Sequence, residues 1–370
     1  MAIPRGCLVH LAEGIKKVVR IPVATVGRIV DPGMAEDILQ QGKADLITLG
    51  RALLADPEFP KKAQGGRVED IRPCIACLQG CLDHLYQGLP ITCMVNPQAG
   101  LEDELKIKPA EKRKKVLIIG GGPGGMEAAR VAALRGHDVT LVEQKGHLGG
   151  QFHLASLPPG KEEIKVFLQY LGGQLKKLGV KIFLNQEMSP EKVAQIDAEV
   201  IILASGGTPQ KPQIPGVERE NVLTAWEALM NPEKVGEKVL VVGAGAVGAE
   251  TAEFLADRGR EVTLIEMAKE IALDEQRVNR KLLLRRLGEK WVKIRILTKA
   301  TAVIPQGVEV EGGEILLADT VILATGVQPN KSLEEGLKKL KIEFFSIGDC
   351  TSPRKAIDAI HEGFKTALKI

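Results

Sequence analysis

Aromatic residues are scarce in this 370-residue chain, at 3%. That scarcity weighs against stacking platforms for nucleic-acid bases. Charge of one sign is not in excess: 50 Lys and Arg face 47 Asp and Glu, for a net charge of +3. Such balance argues against nucleic acid or an anionic membrane surface as a partner. No apolar run approaches the roughly twenty residues that span a bilayer. The N-terminal MAIPRGCLVHLAEG lacks the charged start, apolar middle and small-residue cleavage site of a signal peptide. These absences predict a cytoplasmic protein with no nucleic-acid or membrane partner. Cysteine is also rare, except in one place. Four of the six lie in CIACLQGCLDHLYQGLPITC, from Cys74 to Cys93, and only Cys7 and Cys350 fall elsewhere.

What is present fits a soluble globular chain of two or three domains, with 44% apolar and 26% charged residues. Residues 1–58 alternate short apolar strands with helices, which suggests a parallel sheet. HLAEGIKKVV reads as a helix with Leu11, Ile15, Val18 and Val19 on one face. In DPGMAEDILQQG, Asp31 suits an N-cap, Pro32 the first turn and Gly42 the stop. IPVATVG and DLITLG read as strands. The charged stretch GLEDELKIKPAEKRKK marks a boundary between domains.

Beyond it the chain repeats one design. KKVLIIGGGPGGMEAARVAALRGHDVTLVE and EKVLVVGAGAVGAETAEFLADRGREVTLIE are each strand, glycine turn, helix and strand. Gly120, Gly122 and Gly125 form the first G-x-G-x-x-G, and Gly243, Gly245 and Gly248 the second. The first glycine permits the tight turn, the second lets backbone approach a pyrophosphate, and the third brings helix against strand. Glu143 and Glu266 end the following strands, each eighteen residues beyond the last glycine, where a carboxylate can accept from ribose hydroxyls. An acid at Glu266 favours NADH, because a 2′-phosphate would meet a carboxylate there. The alternative is a pair of glycine-rich turns without ligand.

The cysteines read C-x2-C-x3-C-x11-C. In a reducing compartment such a group more often binds metal or does redox chemistry than forms disulfides. Structural zinc usually shows two separate C-x2-C knuckles. Three close cysteines with a remote fourth suit a 4Fe–4S cube better, with zinc as the alternative. Cys74, Cys77, Cys81 and Cys93 are therefore the candidate metal ligands. Neither glycine-turn region offers a redox dithiol, and Cys350 reads as small packing. His84 reads as a surface histidine. VGRI, with Gly27 and Arg28, and LGRALLADPEF, with Gly50 and Arg51, each place Gly-Arg at a strand end.

The order of these pieces resembles a two-dinucleotide flavoprotein of the disulfide-reductase type. LGGQ, with Gly150 and Gln151, resembles the loop that approaches the flavin. ILASGGTPQKP and ILATGVQPN, the latter with Gly326, resemble that fold's crossovers, and IGDC resembles the motif whose acid holds the ribityl chain. The resemblance implies that Gly120, Gly122, Gly125, Glu143, Gly150, Gln151, Gly326, Gly348 and Asp349 bind FAD. It implies that Gly243, Gly245, Gly248 and Glu266 bind NADH.

From Pro4 to Ile370, including RPCIACLQGCLD and MVNP, the chain resembles the C-terminal part of the 2,4-dienoyl-CoA reductase and 2-enoate reductase family. These are old-yellow-enzyme barrels fused to the flavoprotein module. The resemblance implies an electron path from NADH to FAD, to the 4Fe–4S cluster, to FMN in a barrel, and to an activated C=C of an unsaturated acid or acyl-CoA. It implies that Gly27, Arg28, Gly50 and Arg51 hold the FMN phosphate.

The expected fold is α/β: a remnant of a (β/α)8 barrel over residues 1–72, a cluster segment over 73–100 and a linker over 101–114. An FAD-binding part at 115–232, an NAD(H)-binding domain at 233–324 and the rest of the FAD-binding part at 325–370 follow. A whole barrel takes about 250 residues. Fewer than 75 precede Cys74, so two βα units are expected, with exposed apolar faces and weak or absent FMN binding. No proton donor can be named. The alternatives are an NADH:acceptor diaphorase, or an electron-transfer subunit docking on a separate barrel chain through residues 1–72. A homo-oligomer is a further possibility for its assembly.

Overall fold

The computed structural model describes residues 3–370. Two five-stranded parallel sheets dominate it. Across the first run Glu343–Ser346, Val200–Leu203, Lys115–Ile119, Asp138–Val142 and Lys181–Phe183. Across the second run Lys293–Arg295, Glu261–Ile265, Lys238–Val242, Thr320–Leu323 and Val222–Thr224. The central strands KVLII and KVLVV are each exposed at the first lysine and buried at the other four residues. Continuous apolar strands of this kind need cover on both faces. The helices Pro123–Leu134 and Ala246–Ala256 supply part of it, and an antiparallel meander of Ala300–Ile304, Gly307–Val310 and Ile315–Leu317 packs onto the second sheet.

The chain leaves the first sheet and returns to it through Gly207–Pro209 and Val327–Pro329, which pair antiparallel. Val222–Thr224 lies in the second sheet, although the sequence reading assigned it to the first dinucleotide part. Its apolar triplet carries no signal of which sheet it joins, and pairing with Thr320–Leu323 decides the matter.

The C-terminal helix Ala356–Lys369 returns to cover the first sheet by packing on Pro123–Leu134. Glycines make that approach close. A Cβ on Gly363 would lie 2.2 Å from the Gly124 carbonyl oxygen, and one on Gly124 would lie 2.7 Å from the Ala359 carbonyl oxygen.

Ahead of the sheets, residues 3–72 supply two short parallel strands, Ala24–Thr25 and Leu46–Ile47, with helices Val9–Lys16 and Pro32–Gln40. Asp31 caps the second helix by accepting from Met34 N, as its position predicts. The first helix is shorter than the sequence suggests, so Val18 and Val19 lie beyond it. Its expected apolar face is not buried: Leu11, Ile15 and Val18 are exposed, Val18 by 83%. Two small clusters, one of Val9, Ile29, Ile38 and Ala44 and one of Ala52, Phe59 and Ile71, are the cores this part forms among the described residues. By contrast, Ile75, Met94 and Val95 of the cysteine segment enter the core of the first sheet. No helix among the described residues is long and apolar enough to cross a membrane.

Helical glycine ordinarily costs up to about 1 kcal/mol relative to alanine. Overpacking against a backbone oxygen costs about 1–3 kcal/mol and wins where the neighbour cannot move. Gly363→Ala should therefore lower the thermal midpoint. Gly173→Ala, in the helix Glu163–Lys177 with no atom within 4 Å of the new methyl, should raise it. Thermal unfolding of both variants checks the pair; a stabilised Gly363→Ala would contradict the close helix contact.

Candidate functional site

The two glycine turns are built alike. At the first, a Cβ on Gly125 would lie 2.0 Å from the Gly120 carbonyl oxygen, and at the second one on Gly248 would lie 2.0 Å from that of Gly243. The third glycine is thus the condition for the helix to start directly on its strand. Both strand-end acids brace their turns. Glu143 accepts from Gly121 N at 2.7 Å and Lys145 N at 2.8 Å. Glu266 accepts from Ala244 N at 2.8 Å and Ala268 N at 2.9 Å.

The loop at Gly150 lies on the first turn: a Cβ there would stand 3.0 Å from the Gly122 Cα. Gln151 donates from Nε2 to Asp349 at 2.9 Å, which joins the flavin-loop and Gly-Asp motifs. Gly348 has φ +70°, and its N–H donates to Glu362 at 2.7 Å. Gly326, also in the left-handed region at φ +108°, sits at the second crossover.

A cavity of about 620 Å³ joins most of these pieces, while Gly243, Gly245, Gly248, Glu266 and Gly326 are not among its lining residues. Gly120, Gly122, Glu143, Gln151 and Asp349 line one part, and Ala246, Val247 and Glu250 of the second domain another. Cys77 and Gln79 reach its wall. A Cβ on Gly122 would meet nothing within 4 Å. An open second glycine, a strand-end carboxylate and an acid at the far end are the features an extended dinucleotide requires. The residues present fit FAD.

The four cysteines line one small cavity together with Arg51, Leu54 and Met94. The remote fourth is brought back by backbone contact. Thr92 N donates to Gly80 O at 2.9 Å, and a Cβ on Gly80 would clash with the Thr92 carbonyl at 2.8 Å. Ala76 and Leu78 take positive φ, at +52° and +64°. Burial pushes the thiols of Cys74 and Cys77 up and that of Cys93 to about 11, and neighbouring cysteines push in the same direction. Among the described residues no group of three or more His, Cys, Asp or Glu side chains is arranged to hold a metal ion. One zinc would draw its sulfurs to about 3.8 Å from each other, as follows from a Zn–S bond of about 2.3 Å in tetrahedral geometry. The donor set, four thiolates lining one cavity, fits a 4Fe–4S cluster.

His84 lies away from this cavity, with Nδ1 2.7 Å from the Pro90 carbonyl oxygen, where it ties the returning loop. His361 of the C-terminal helix faces the Cys93 carbonyl oxygen through Nε2 at 2.9 Å, and a carbonyl there makes Nε2 the donor. Burial lowers the His361 pKa, which favours the neutral ring.

Gly27, Arg28, Gly50 and Arg51 line a further cavity of about 450 Å³ with Cys74 and Cys81. Arg28 takes φ +54° and is only 6% exposed in its side chain. Its guanidinium pairs with Glu163 at 2.7 Å, at the start of the helix Glu163–Lys177. The sequence suggested a phosphate ligand; the structure spends part of this arginine on holding residues 3–72 against the first dinucleotide domain.

Sequence reasoning missed a triad at the seam between the domains. Lys161, from the first, forms ion pairs with Glu250 and, at 3.5 Å, with Glu275, both from the second. Their side chains are 18%, 12% and 10% exposed. Burial raises Glu250 to about 7 against the pull of Lys161, with Glu275 adding to the rise. Burial opposes the charge on Lys161, but the two carboxylates outweigh it and raise its pKa. Glu250 stands two residues after Gly248; that spacing was the one available signal.

A raised carboxyl pKa means that the folded state binds a proton more tightly than the unfolded one. The stability it brings is full below the ordinary carboxyl value near 4.5 and is lost as pH rises through about 7. Glu250→Gln, which cannot ionise, should gain on wild type between pH 5 and pH 8 by on the order of 2 kcal/mol. Unfolding midpoints measured across that range give the test; parallel profiles would remove Glu250 as the titrating group.

Comparison with known proteins follows the same division. Residues 114–363 match the family described as "Pyridine nucleotide-disulphide oxidoreductase", and residues 8–70 match the "NADH:flavin oxidoreductase / NADH oxidase family". Among curated relatives, an NADH oxidase of Thermoanaerobacter brockii is 42% identical over 99% of this chain and 58% of its own length. A cinnamate reductase of Clostridium sporogenes is 36% identical over 99% of this chain and 56% of its own. Among solved structures, a 2-naphthoyl-CoA reductase in complex with 2-naphthoyl-CoA superposes with a TM-score of 0.96 at 36% identity. That match covers 100% of this chain and 58% of the other. The chain thus spans less than three-fifths of each of these relatives.

Proposed function

Because the chain belongs to the pyridine nucleotide-disulphide oxidoreductase family, we propose that it is the NADH-oxidising input portion of a flavin and iron–sulfur ene-reductase. The complete enzyme would reduce an activated C=C in an unsaturated acid or acyl-CoA. The observation that carries this reading is the single cavity that joins the first glycine turn, the second turn and Cys77. The reductases similar to this chain, one for cinnamate and one for 2-naphthoyl-CoA, support the substrate class. The cysteine usage supports a cytoplasmic setting.

In this reading the turn amides after Gly120 and Gly243 bind the pyrophosphates of FAD and NADH. Glu143 and Glu266 hold those turns and face the riboses, and Asp349, fixed by Gln151, takes the ribityl end. Lys161, Glu250 and Glu275 orient the second domain over the first. Cys74, Cys77, Cys81 and Cys93 hold the 4Fe–4S cluster, and Arg51 with Gly50 offers the FMN phosphate its contact. Flavin chemistry accepts two electrons as hydride and releases them singly, which suits a nicotinamide donor and a one-electron cluster. The domain bounds that go with these roles are 1–72, 73–100, 115–232 with 325–370, and 233–324, with the strand Val222–Thr224 moved to the last.

A second reading, an NADH:acceptor diaphorase, is favoured by the similarity to the NADH oxidase of Thermoanaerobacter brockii. Anaerobic purification, quantification of iron, sulfide, FAD and FMN, and NADH titration distinguish these outcomes. The proposal expects about four irons and one FAD per chain, with both chromophores bleached by NADH. Zinc in place of iron, or FAD that NADH leaves oxidised, would break it. Dye reduction with an intact cluster that NADH cannot reduce would favour the diaphorase.

A further inference from the structure

The second glycine turn carries a carboxylate where the first carries none. Gly122 and Gly245 are the N-caps of the helices Pro123–Leu134 and Ala246–Ala256. Space beyond Gly122 is open, but a Cβ on Gly245 would lie 3.5 Å from Asp274 Oδ2. The other carboxylate oxygen of Asp274 accepts from Ala246 N at 2.8 Å. Asp274, Ala246 and Val247 all line the shared cavity.

A helix N-terminus attracts anions because its first N–H groups lack partners within the helix and its dipole is positive there. That is the basis of pyrophosphate binding at a glycine turn. Asp274 already satisfies one of these N–H groups and sets a negative charge where a phosphate must come. Its loop has little freedom to yield as a whole. On one side Ala272 N donates to Ala244 O at 2.7 Å, and on the other Glu275 is held by Lys161. Between those anchors stand Leu273 and Asp274, both exposed.

We propose that Asp274 gates the second nucleotide site: its carboxylate occupies the phosphate position and must swing aside when a dinucleotide binds, so it sets the affinity of that site. The inference rests on the reading of the second turn as the NADH site. Nucleotide affinity is then weakened by a competing internal anion, and the first turn, with no such group at Gly122, binds its own dinucleotide without that competition.

The test uses the full chain with ADP-ribose, which carries the pyrophosphate but cannot donate hydride, and adenosine, which carries no phosphate. Asp274→Asn keeps an oxygen able to accept from Ala246 N and removes the charge; Asp274→Ser offers a second neutral acceptor. Calorimetric titration should show ADP-ribose binding about tenfold tighter to the variants than to wild type, within the range of charge effects at helix ends. Adenosine should bind all three alike, and the gain for ADP-ribose should shrink as salt is raised, since screening weakens the repulsion being removed. Equal or weaker ADP-ribose binding by folded variants would leave Asp274 as a helix cap and overturn the gate alone. An equal gain for adenosine would overturn it too, because the effect would not involve phosphate. If ADP-ribose binds none of the three proteins, the gate and the nucleotide reading of the second turn both fall.

Discussion

Two backbone carbonyls in the cysteine segment fix the geometry on which the rest depends. The oxygen of Cys93 is held by His361 at 2.9 Å, from the helix that completes the first dinucleotide domain. The oxygen of Cys77 is held by Asn279 Nδ2 at 3.2 Å, from the helix Arg277–Glu289 of the second. A short segment, whose regular structure is the one helix Leu82–Tyr86, is thereby registered against both domains at once. The apolar part of that anchorage is one-sided. Ile75, Met94 and Val95 are buried in the core of the first sheet. The thiols are therefore seated on the first domain, and the second meets the segment through Asn279.

The domain seam shows a similar economy of contact. Lys161 sits between two carboxylates, so three ionisable groups share a largely buried site. Two ionised carboxylates facing one ammonium would leave a net negative charge in a poorly solvated place. The raised pKa of Glu250 relieves this by keeping a proton in the group at lower pH. Buried ion pairs add little net stability, since desolvation offsets most of the Coulomb attraction. Their directionality is what matters here: it sets how the second glycine turn stands relative to the first.

Much of the architecture is legible in the sequence because its requirements are local. The spacing of Gly120, Gly122 and Gly125 encodes the turn, and the apolar run before it encodes a strand covered on both faces. The repeat at Gly243 shows the second copy. The cysteine spacing shows that the segment is special. What the sequence conceals are pairings between distant positions. Lys161 and Glu250, and likewise Asp274 and Ala246, are unremarkable in their own stretches and meet only through the fold. Arg28 looks like an anion ligand by its place after a strand, yet Glu163 claims it, 135 residues away. Short apolar pieces mislead in another way. Val222–Thr224 could join either sheet, whereas the exposure of Leu11, Ile15 and Val18 is what two βα units without a closed barrel lead one to expect.

The contrast between apolar cores and polar seams bears on how the cavity survives folding. Each sheet has its own buried clusters, and one cluster of the second takes Leu154, Ala225, Ala228 and Leu229 from residues 115–232. A continuous apolar interface would be driven to close, because buried apolar area stabilises at about 25 cal/mol per Å² regardless of direction. Closing it would erase the space of about 620 Å³ that lies between the domains. Ionic and hydrogen-bonded contacts define a position without rewarding further collapse. The remaining seams follow the same rule: Arg5 and Arg28 on Glu163, and Asp70 on Gln174 and Lys177, join residues 3–72 to the helix Glu163–Lys177. The parts are thus individually stabilised by packing and mutually placed by charge, which leaves an open path from both glycine turns to Cys77.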